Sequence, residues 1–236
     1  MTKTPLYNKI LNVLQAQNRY KIVFIGDSLT STEWIHPNWR EVFEYILKYS
    51  FDEFSEEDWW IPEWNLSFFN YALDGGSTRN FLEQVKLAEK EVNPDLYIIM
   101  GTSNDIEFGI DKDEHVRNLE EIFKILNNKD VVYSPDVYSK DDKANIQYDE
   151  YIKEVFKIEF PKNIYKFNGY EISKNYPLNS FYTLQENGVT DPVHPNVLGN
   201  IYIAKMFLEE CFGIEVNPEK YLEDIQSNTV KFPKWK

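Results

Sequence analysis

Short, nearly all-apolar runs alternate along the chain with longer stretches in which apolar residues recur every three or four positions. Tyr20 to Gly26 (YKIVFIG) is β-branched, apolar and closed by glycine, the pattern of a strand covered on both faces in a parallel sheet. Leu66 to Tyr71 (LSFFNY) and Leu96 to Gly101 (LYIIMG) repeat it. Between them Trp39, Val42, Phe43, Ile46 and Leu47 predict one amphipathic helix, and Phe81, Val85, Ala88 and Val92 a second, stopped by Pro94. Leu119, Ile122, Phe123 and Leu126 give a third helical stripe, followed by Val131 to Tyr133 as a fourth strand. This alternation predicts an α/β domain: an open parallel sheet with helices on both faces and right-handed crossovers.

The pattern weakens between Ser139 and Ser180. A charged helix is expected around Tyr151 to Ile158 and a strand at Ile164 to Phe167. A last helix is better marked, with Asn196 as its cap, Val197, Ile201, Ala204, Leu208 and Cys211 on one face, and Gly213 as terminator. The tail from about 217 is expected to pack loosely, and the stretch at about 52–65 reads as a Trp-rich insertion. The 236 residues fit one domain, and no repeat or linker divides residues 1–236.

Composition narrows the function classes. Hydrophobic residues make up 42% and aromatics 16%, enough for a sizeable core and far from a disordered chain. The formal charge of −14 repels phosphate backbones and anionic surfaces, so neither nucleic acid nor membrane is an expected partner. A lone cysteine, Cys211, excludes an internal disulfide and a Cys-rich zinc site, and its thiol is expected to be buried in a helix. Met1 to Ile10 has no apolar stretch of signal-peptide length, so a cytoplasmic location is expected. The sequon at Asn65-Leu66-Ser67 carries no meaning without a secretory route. Oligomeric state is not legible.

In open α/β sheets ligands sit beyond the carboxyl ends of the strands, and the residues there are reactive. Gly26-Asp27-Ser28-Leu29-Thr30 follows the first strand, Asn70-Tyr71-Ala72-Leu73-Asp74-Gly75-Gly76-Ser77 the second and Gly101-Thr102-Ser103-Asn104-Asp105 the third. Asp191-Pro192-Val193-His194-Pro195 stands near the end. A serine hydroxyl needs a neighbouring base to take its proton, and an imidazole oriented by a carboxylate supplies one near neutral pH. Ser28, His194 and Asp191 fill those roles. Because the base must be neutral, activity is expected to fall as His194 protonates. Pro195 pushes His194 towards an extended conformation. The amides of Ser28 and Gly75 and the side-chain amide of Asn104 are candidate donors to an oxyanion.

With those residues the chain resembles the SGNH hydrolases, also called the GDSL esterase/lipase family, from about Tyr20 to Phe212. Gly26-Asp27-Ser28-Leu29 is similar to the family's first block, which implies Ser28 as nucleophile. Asn70 to Gly75 is similar to the second, implying Gly75 as an oxyanion donor, with Gly76 the substitute if the loop shifts by one. Asn104-Asp105 resembles the third, implying Asn104 as the other donor, and Asp191 and His194 match the Asp-x-x-His of the fifth. One departure is visible: the third block usually reads Gly-x-Asn-Asp, and Gly101-Thr102-Ser103-Asn104 carries one extra residue. The resemblance implies a three-layer α/β/α sandwich, flavodoxin-like, with a central parallel sheet of about five strands. It also implies an esterase with no cofactor and no metal, acting on a small acyl ester such as an acetylated glycan. Thr30 replaces the second glycine of the Gly-x-Ser-x-Gly elbow, so the α/β-hydrolase fold is not implied.

Other residues have plainer readings. Asp27 is expected to accept backbone hydrogen bonds and shape its turn, with a place in the substrate cleft as the alternative. Trp34, His36, Trp59 and Trp60 are candidate cleft residues, since aromatic walls suit sugar rings and acyl chains alike. Trp39 fits a buried stripe. His115, in the run Asp111-Lys112-Asp113-Glu114, reads as a solvated helix residue. Two rival functions remain: a metal-dependent phosphoesterase built on Asp27, Asn104, Asp105 and His194, and a glycan-binding module on a decayed hydrolase scaffold.

Overall fold

The strands β1 (Tyr20–Gly26), β2 (Leu66–Asn70), β3 (Leu96–Met100), β4 (Asp130–Ser134) and β5 (Ile164–Lys166) pair in parallel in the order β2-β1-β3-β4-β5. The computed structural model describes residues 2–51, 62–101, 103–185 and 187–227. Strands β1 and β3 are neighbours, with Gly26 opposite Met100. The chain passes from β1 outward to β2 and then back across to β3. The order therefore reverses beside β1, and a crevice opens at the carboxyl ends of β1 and β3.

The period of two along the strands divides the core. Ile22, Phe24, Leu96, Ile98, Met100 and Val132 face one layer, made by α1 (Pro5–Gln15), α2 (Trp39–Phe51) and α8 (Val197–Phe207). Val23, Ile25, Tyr97, Ile99, Val131 and Tyr133 face the other, made by α3 (Thr78–Glu91) and α5 (Lys112–Ile125). Helix α2 alone buries Val42, Phe43, Leu47 and Phe51, each contributing about 1.5–3 kcal/mol over an exposed side chain. The parallel sheet with helices on both faces expected from the alternation, and the three-layer α/β/α sandwich of about five strands implied by the resemblance, are the observed architecture.

Where the apolar pattern was weak, the structure departs from it. Helix α6 spans Asp142–Val155, starting well before the expected Tyr151, because its buried positions include the polar Asn145 and Tyr148 ahead of Ile152 and Val155. Polar groups on the inner face erased the periodicity. Helix α1 was not predicted; Thr4 caps it, Pro5 opens it, and Leu6, Tyr7, Ile10 and Leu14 are buried. The tail is not loose as far as it is described. Helix α9 (Pro218–Gln226) lays Tyr221, Leu222 and Ile225 against the core, and the Tyr202 hydroxyl donates to Glu219 Oε1 at 2.5 Å. Covered by α9 as well as the sheet, α8 is buried on more than the single expected face. Asn196 caps α8 through the Gly199 amide, and Cys211 is buried in the π-helical turn Leu208–Phe212 that ends at Gly213.

Two further short helices, α4 (Asn104–Glu107) and α7 (Gly169–Ser173), follow β3 and β5. An antiparallel hairpin of β6 (Tyr182–Leu184) and β7 (Thr190–Pro195) stands apart from the main sheet and precedes α8. Among the described residues no helix is long and apolar enough to cross a membrane.

Candidate active site

Ser28 follows β1 in a turn fastened from below. Asp27 Oδ1 accepts the Leu29 amide at 2.9 Å, and the Asp27 carbonyl accepts the amides of Thr30 and Ser31. Asn38 ties down the next stretch by donating to the carbonyls of Leu29 and Ser31. With its neighbours held, the half-buried Ser28 hydroxyl faces the end of β7.

His194 sits on β7, the extended backbone expected before Pro195. Its Nε2 is 3.1 Å from Ser28 Oγ, and its Nδ1 is 2.9 Å from Asp191 Oδ2. With Nδ1–H donated to the carboxylate, the Nε2 lone pair is left to accept the serine proton. Asp191 Oδ1 also accepts the amides of Val193 and His194 at 2.8 and 2.9 Å. Burial alone would raise the Asp191 carboxyl, but those two amides and the imidazole outweigh it and hold the group below the ordinary carboxylate range. The segment is braced from α6's approach: Ser139 Oγ and the Lys140 amide both donate to the Pro192 carbonyl at 2.9 Å. Residues 166 positions apart thus meet over the sheet edge.

Opposite the serine, the loop after β2 crosses the crevice. Gly75 adopts φ +66°, the left-handed region that favours glycine, and a Cβ there would meet only the Phe108 ring, at 3.9 Å. The Gly76 amide is spent on the Leu73 carbonyl at 2.9 Å, whereas the amides of Ser28 and Gly75 have no acceptor among the described residues. Of the two glycines, Gly75 therefore keeps a donor free. Asn104 opens α4 and gives one Nδ2 hydrogen to the Gly76 carbonyl at 3.1 Å, leaving the other available. The extra residue of the third block does not carry Asn104 away from this loop. Gly101, at φ +137°, makes the room instead: a Cβ would lie 2.8 Å from the Phe81 ring and 3.1 Å from Asp27 Oδ2.

Trp34 stacks on the imidazole of His194 and donates its indole N–H to Asp74 Oδ1 at 2.7 Å, with half its surface exposed. His36 stands away at the surface, 3.1 Å from Glu41 Oε2. Asp27 is 1% exposed, so it does not line the cleft; it forms the floor of the turn. Trp59 and Trp60 lie outside the described residues, as does most of the 52–65 insertion. Trp39 is fully buried.

His115 corrects the sequence reading. It is 1% exposed, and its Nδ1 lies 2.9 Å from Asp105 Oδ2. Asp105 also accepts the Thr78 amide and hydroxyl, at 2.7 and 2.5 Å. The charged residues around His115 occupy the outer face of α5 while its ring points inward. The same contacts turn Asp105 into the protein and away from His194, so the set imagined for a metal-dependent phosphoesterase does not converge. Among the described residues no three His, Cys, Asp or Glu side chains form such a cluster. Sequence reasoning missed Asp74, Phe108 and Asp136; only their places in loops after strands marked them.

Residues 22–207 match the family model of the GDSL-like lipase/acylhydrolases. The chain belongs to that family. Members of this family hydrolyse esters, and the protein is such a hydrolase. Solved structures of similar fold include a catalytic mutant of Axe2, an acetylxylan esterase from Geobacillus stearothermophilus, at 19% identity and TM-score 0.63, covering 82% of this chain and 94% of that one. The lipase/acylhydrolase from Enterococcus faecalis aligns at 20% identity and TM-score 0.58, covering 81% and 94%. A tail fiber protein from a phage of E. coli aligns at 16% identity and TM-score 0.62, covering 88% of this chain but 28% of that one. No curated protein matches the GDSL-like chain by sequence.

Proposed function

We propose that this family member is a serine esterase that removes a small acyl group, with O-acetylated carbohydrate as its substrate class. The observation that carries the reading is the continuous line from Ser28 Oγ through both nitrogens of His194 to Asp191. Ser28 Oγ attacks the ester carbonyl while its proton passes to His194 Nε2. Asp191 stabilises the imidazolium that results. The oxyanion takes hydrogen bonds from the amides of Ser28 and Gly75 and from Asn104 Nδ2, in place of the water that would otherwise solvate it. Collapse breaks the bond to the alcohol, which leaves with the proton from His194. Water then attacks the acyl-serine, passing its proton to His194, and the carboxylic acid departs as Ser28 recovers its hydrogen. The chemistry needs no metal or organic cofactor.

Two observations favour an acetylated sugar. The half-exposed Trp34 flanks the base from which the alcohol takes its proton, and sugar rings stack on such faces. The Axe2 structure, similar in fold, is of an acetylxylan esterase.

Labelling with a fluorophosphonate and hydrolysis of an arylacetate test the mechanism. Modification confined to Ser28, and loss of both labelling and turnover in a folded Ser28→Ala variant, are expected. Activity that survives this substitution would overturn the mechanism. Binding of acetylated saccharides by the unaltered protein without turnover would favour the glycan-binding alternative.

A further inference from the structure

The buried polar groups of α6 face the irregular segment that follows β4. Asn145, 4% exposed, spends its side chain on one residue there: Oδ1 accepts the Ser139 amide at 3.0 Å, and Nδ2 donates to the Ser139 carbonyl at 2.7 Å. Matching the N–H and the C=O of a single residue takes a donor and an acceptor together, which an amide side chain has and a carboxylate lacks. The preceding residue is held as closely. The Tyr138 amide donates to Ser173 Oγ on α7 at 2.8 Å, and the Tyr138 carbonyl accepts the Tyr182 hydroxyl from β6. Side chains from three elements thus fix a stretch of backbone that has no ladder of its own.

From that stretch Ser139 Oγ and the Lys140 amide reach the Pro192 carbonyl. Pro192 lies between Asp191 and His194, and the four residues are closed on themselves, because Asp191 Oδ1 accepts the amides of Val193 and His194 while Oδ2 meets the imidazole. A unit so closed moves as one body, and its place against Ser28 is set by what grips it from outside. We propose that Asn145 and Ser139 are positioning residues for His194: Asn145 fixes Ser139, and the Ser139 hydroxyl holds the Pro192 carbonyl so that His194 Nε2 stands 3.1 Å from Ser28 Oγ.

The same segment bears on the other side of the site. Asp136 Oδ2 accepts the Ser103 amide at 2.9 Å, one residue before Asn104, and the Asp136 amide donates to the Tyr148 hydroxyl oxygen at 2.8 Å. The two polar residues buried ahead of Ile152 on α6 therefore hold the stretch that touches both the proposed base and the turn of the proposed oxyanion donor. The consequence for turnover, unlike the placement of the ring, rests on the esterase reading.

Ser139→Ala removes one of the two donors to the Pro192 carbonyl and is expected to lower kcat on an arylacetate roughly three- to tenfold, the worth of one hydrogen bond, with KM little changed. Ser139→Thr keeps the hydroxyl and should restore most of the loss. Asn145→Ala takes both bonds from the Ser139 backbone and should cost at least about tenfold, since a small misplacement of a reacting group is amplified in the rate. Asp141→Ala is the control: it strips the cap that accepts the Lys143 and Ala144 amides, and should lower the melting temperature while kcat stays at the parent value. An unchanged kcat in Ser139→Ala, or a fall that Asp141→Ala reproduces, would overturn the role.

Nitrogen-15 NMR of histidine-labelled protein tests the placement without reference to turnover. The chain has three histidines, and the Nε2 signal of His194 is identified by its change in Ser28→Ala, where its hydrogen-bond donor is gone. In Ser139→Ala that signal should move towards its position in Ser28→Ala, and Asp141→Ala should leave it in place. A signal that does not move in Ser139→Ala would overturn the placement, and this variant alone decides it if Asn145→Ala does not fold. Absence of hydrolysis of any ester would overturn the esterase reading, while the nitrogen signals would still decide what holds His194.

Discussion

The indole of Trp34 lies flat on the imidazole of His194, with ring centroids 3.8 Å apart and planes 10° from parallel. Its other end is tied to Asp74, the residue before Gly75, by the bond from Nε1. One side chain therefore links the proposed base to the loop that bears Gly75. The face of an aromatic ring attracts a cation, so the stack favours the imidazolium formed during turnover. Trp34→Ala is expected to lower kcat by roughly two- to tenfold, the worth of one aromatic pair. Trp34→Phe, which keeps a stacking face and loses the bond to Asp74, should recover part of kcat. Steady-state rates of the two variants separate the contribution of the stack from that of the bond to Asp74.

Asn104 is the side-chain donor proposed for the oxyanion. Asn104→Ala is expected to reduce kcat by roughly 10²–10³ with KM little changed, since the lost hydrogen bond strengthens only in the transition state. The change also removes the tie to the Gly76 carbonyl. A small loss of thermal stability should accompany it, measured by melting. Loss in KM alone would mean that Asn104 binds the substrate and not the oxyanion.

Asp191 has two separable effects. Asp191→Asn should lower kcat by roughly 10³–10⁴, because the amide no longer fixes the imidazole tautomer. The carboxyl is held below its ordinary range by the hydrogen bonds it accepts, so its ionised form favours the folded state. That contribution is fully present above the carboxyl's unfolded value and is lost as pH falls through the folded one. The difference in melting temperature between parent and variant is therefore expected to be largest near neutral pH and to shrink on acidification. Melting curves over that range check the sign.

How much could be read in advance follows from which face of each element is apolar. Ile22 to Ile25 and Leu96 to Met100 are covered on both sides, and their unbroken runs announced the sheet. The candidate residues stood out because β1, β2 and β3 all deliver their following segments to one crevice. Helix α6 was misplaced because Asn145 and Tyr148 do the inward packing there. The β6–β7 hairpin escaped notice because Tyr182 to Leu184 is too short for a period, although the strand it pairs with carries both Asp191 and His194. Trp34, on an irregular loop, was recognisable by type, but its stacking partner lies 160 positions away, a separation that spacing rules do not reach.

The buried pair of His115 and Asp105 yields the last prediction. Asp105 is fully buried and accepts three hydrogen bonds, two from Thr78 at the start of α3 and one from His115 on α5. It follows Asn104 directly, so the network anchors the proposed oxyanion donor from behind. His115→Ala takes one donor from a buried carboxylate, which costs about 1–3 kcal/mol, and the space vacated by the ring adds to it. The Nε2 end of the ring has no hydrogen-bond partner among the described residues, so no such bond is lost there. His115→Asn, whose amide places a donor near the position of Nδ1, should therefore be the milder change. The expected order of melting temperatures is parent, Asn variant, Ala variant, with kcat following the same order through Asn104. Equal stability of the Ala variant and the parent would show that Thr78 alone holds Asp105.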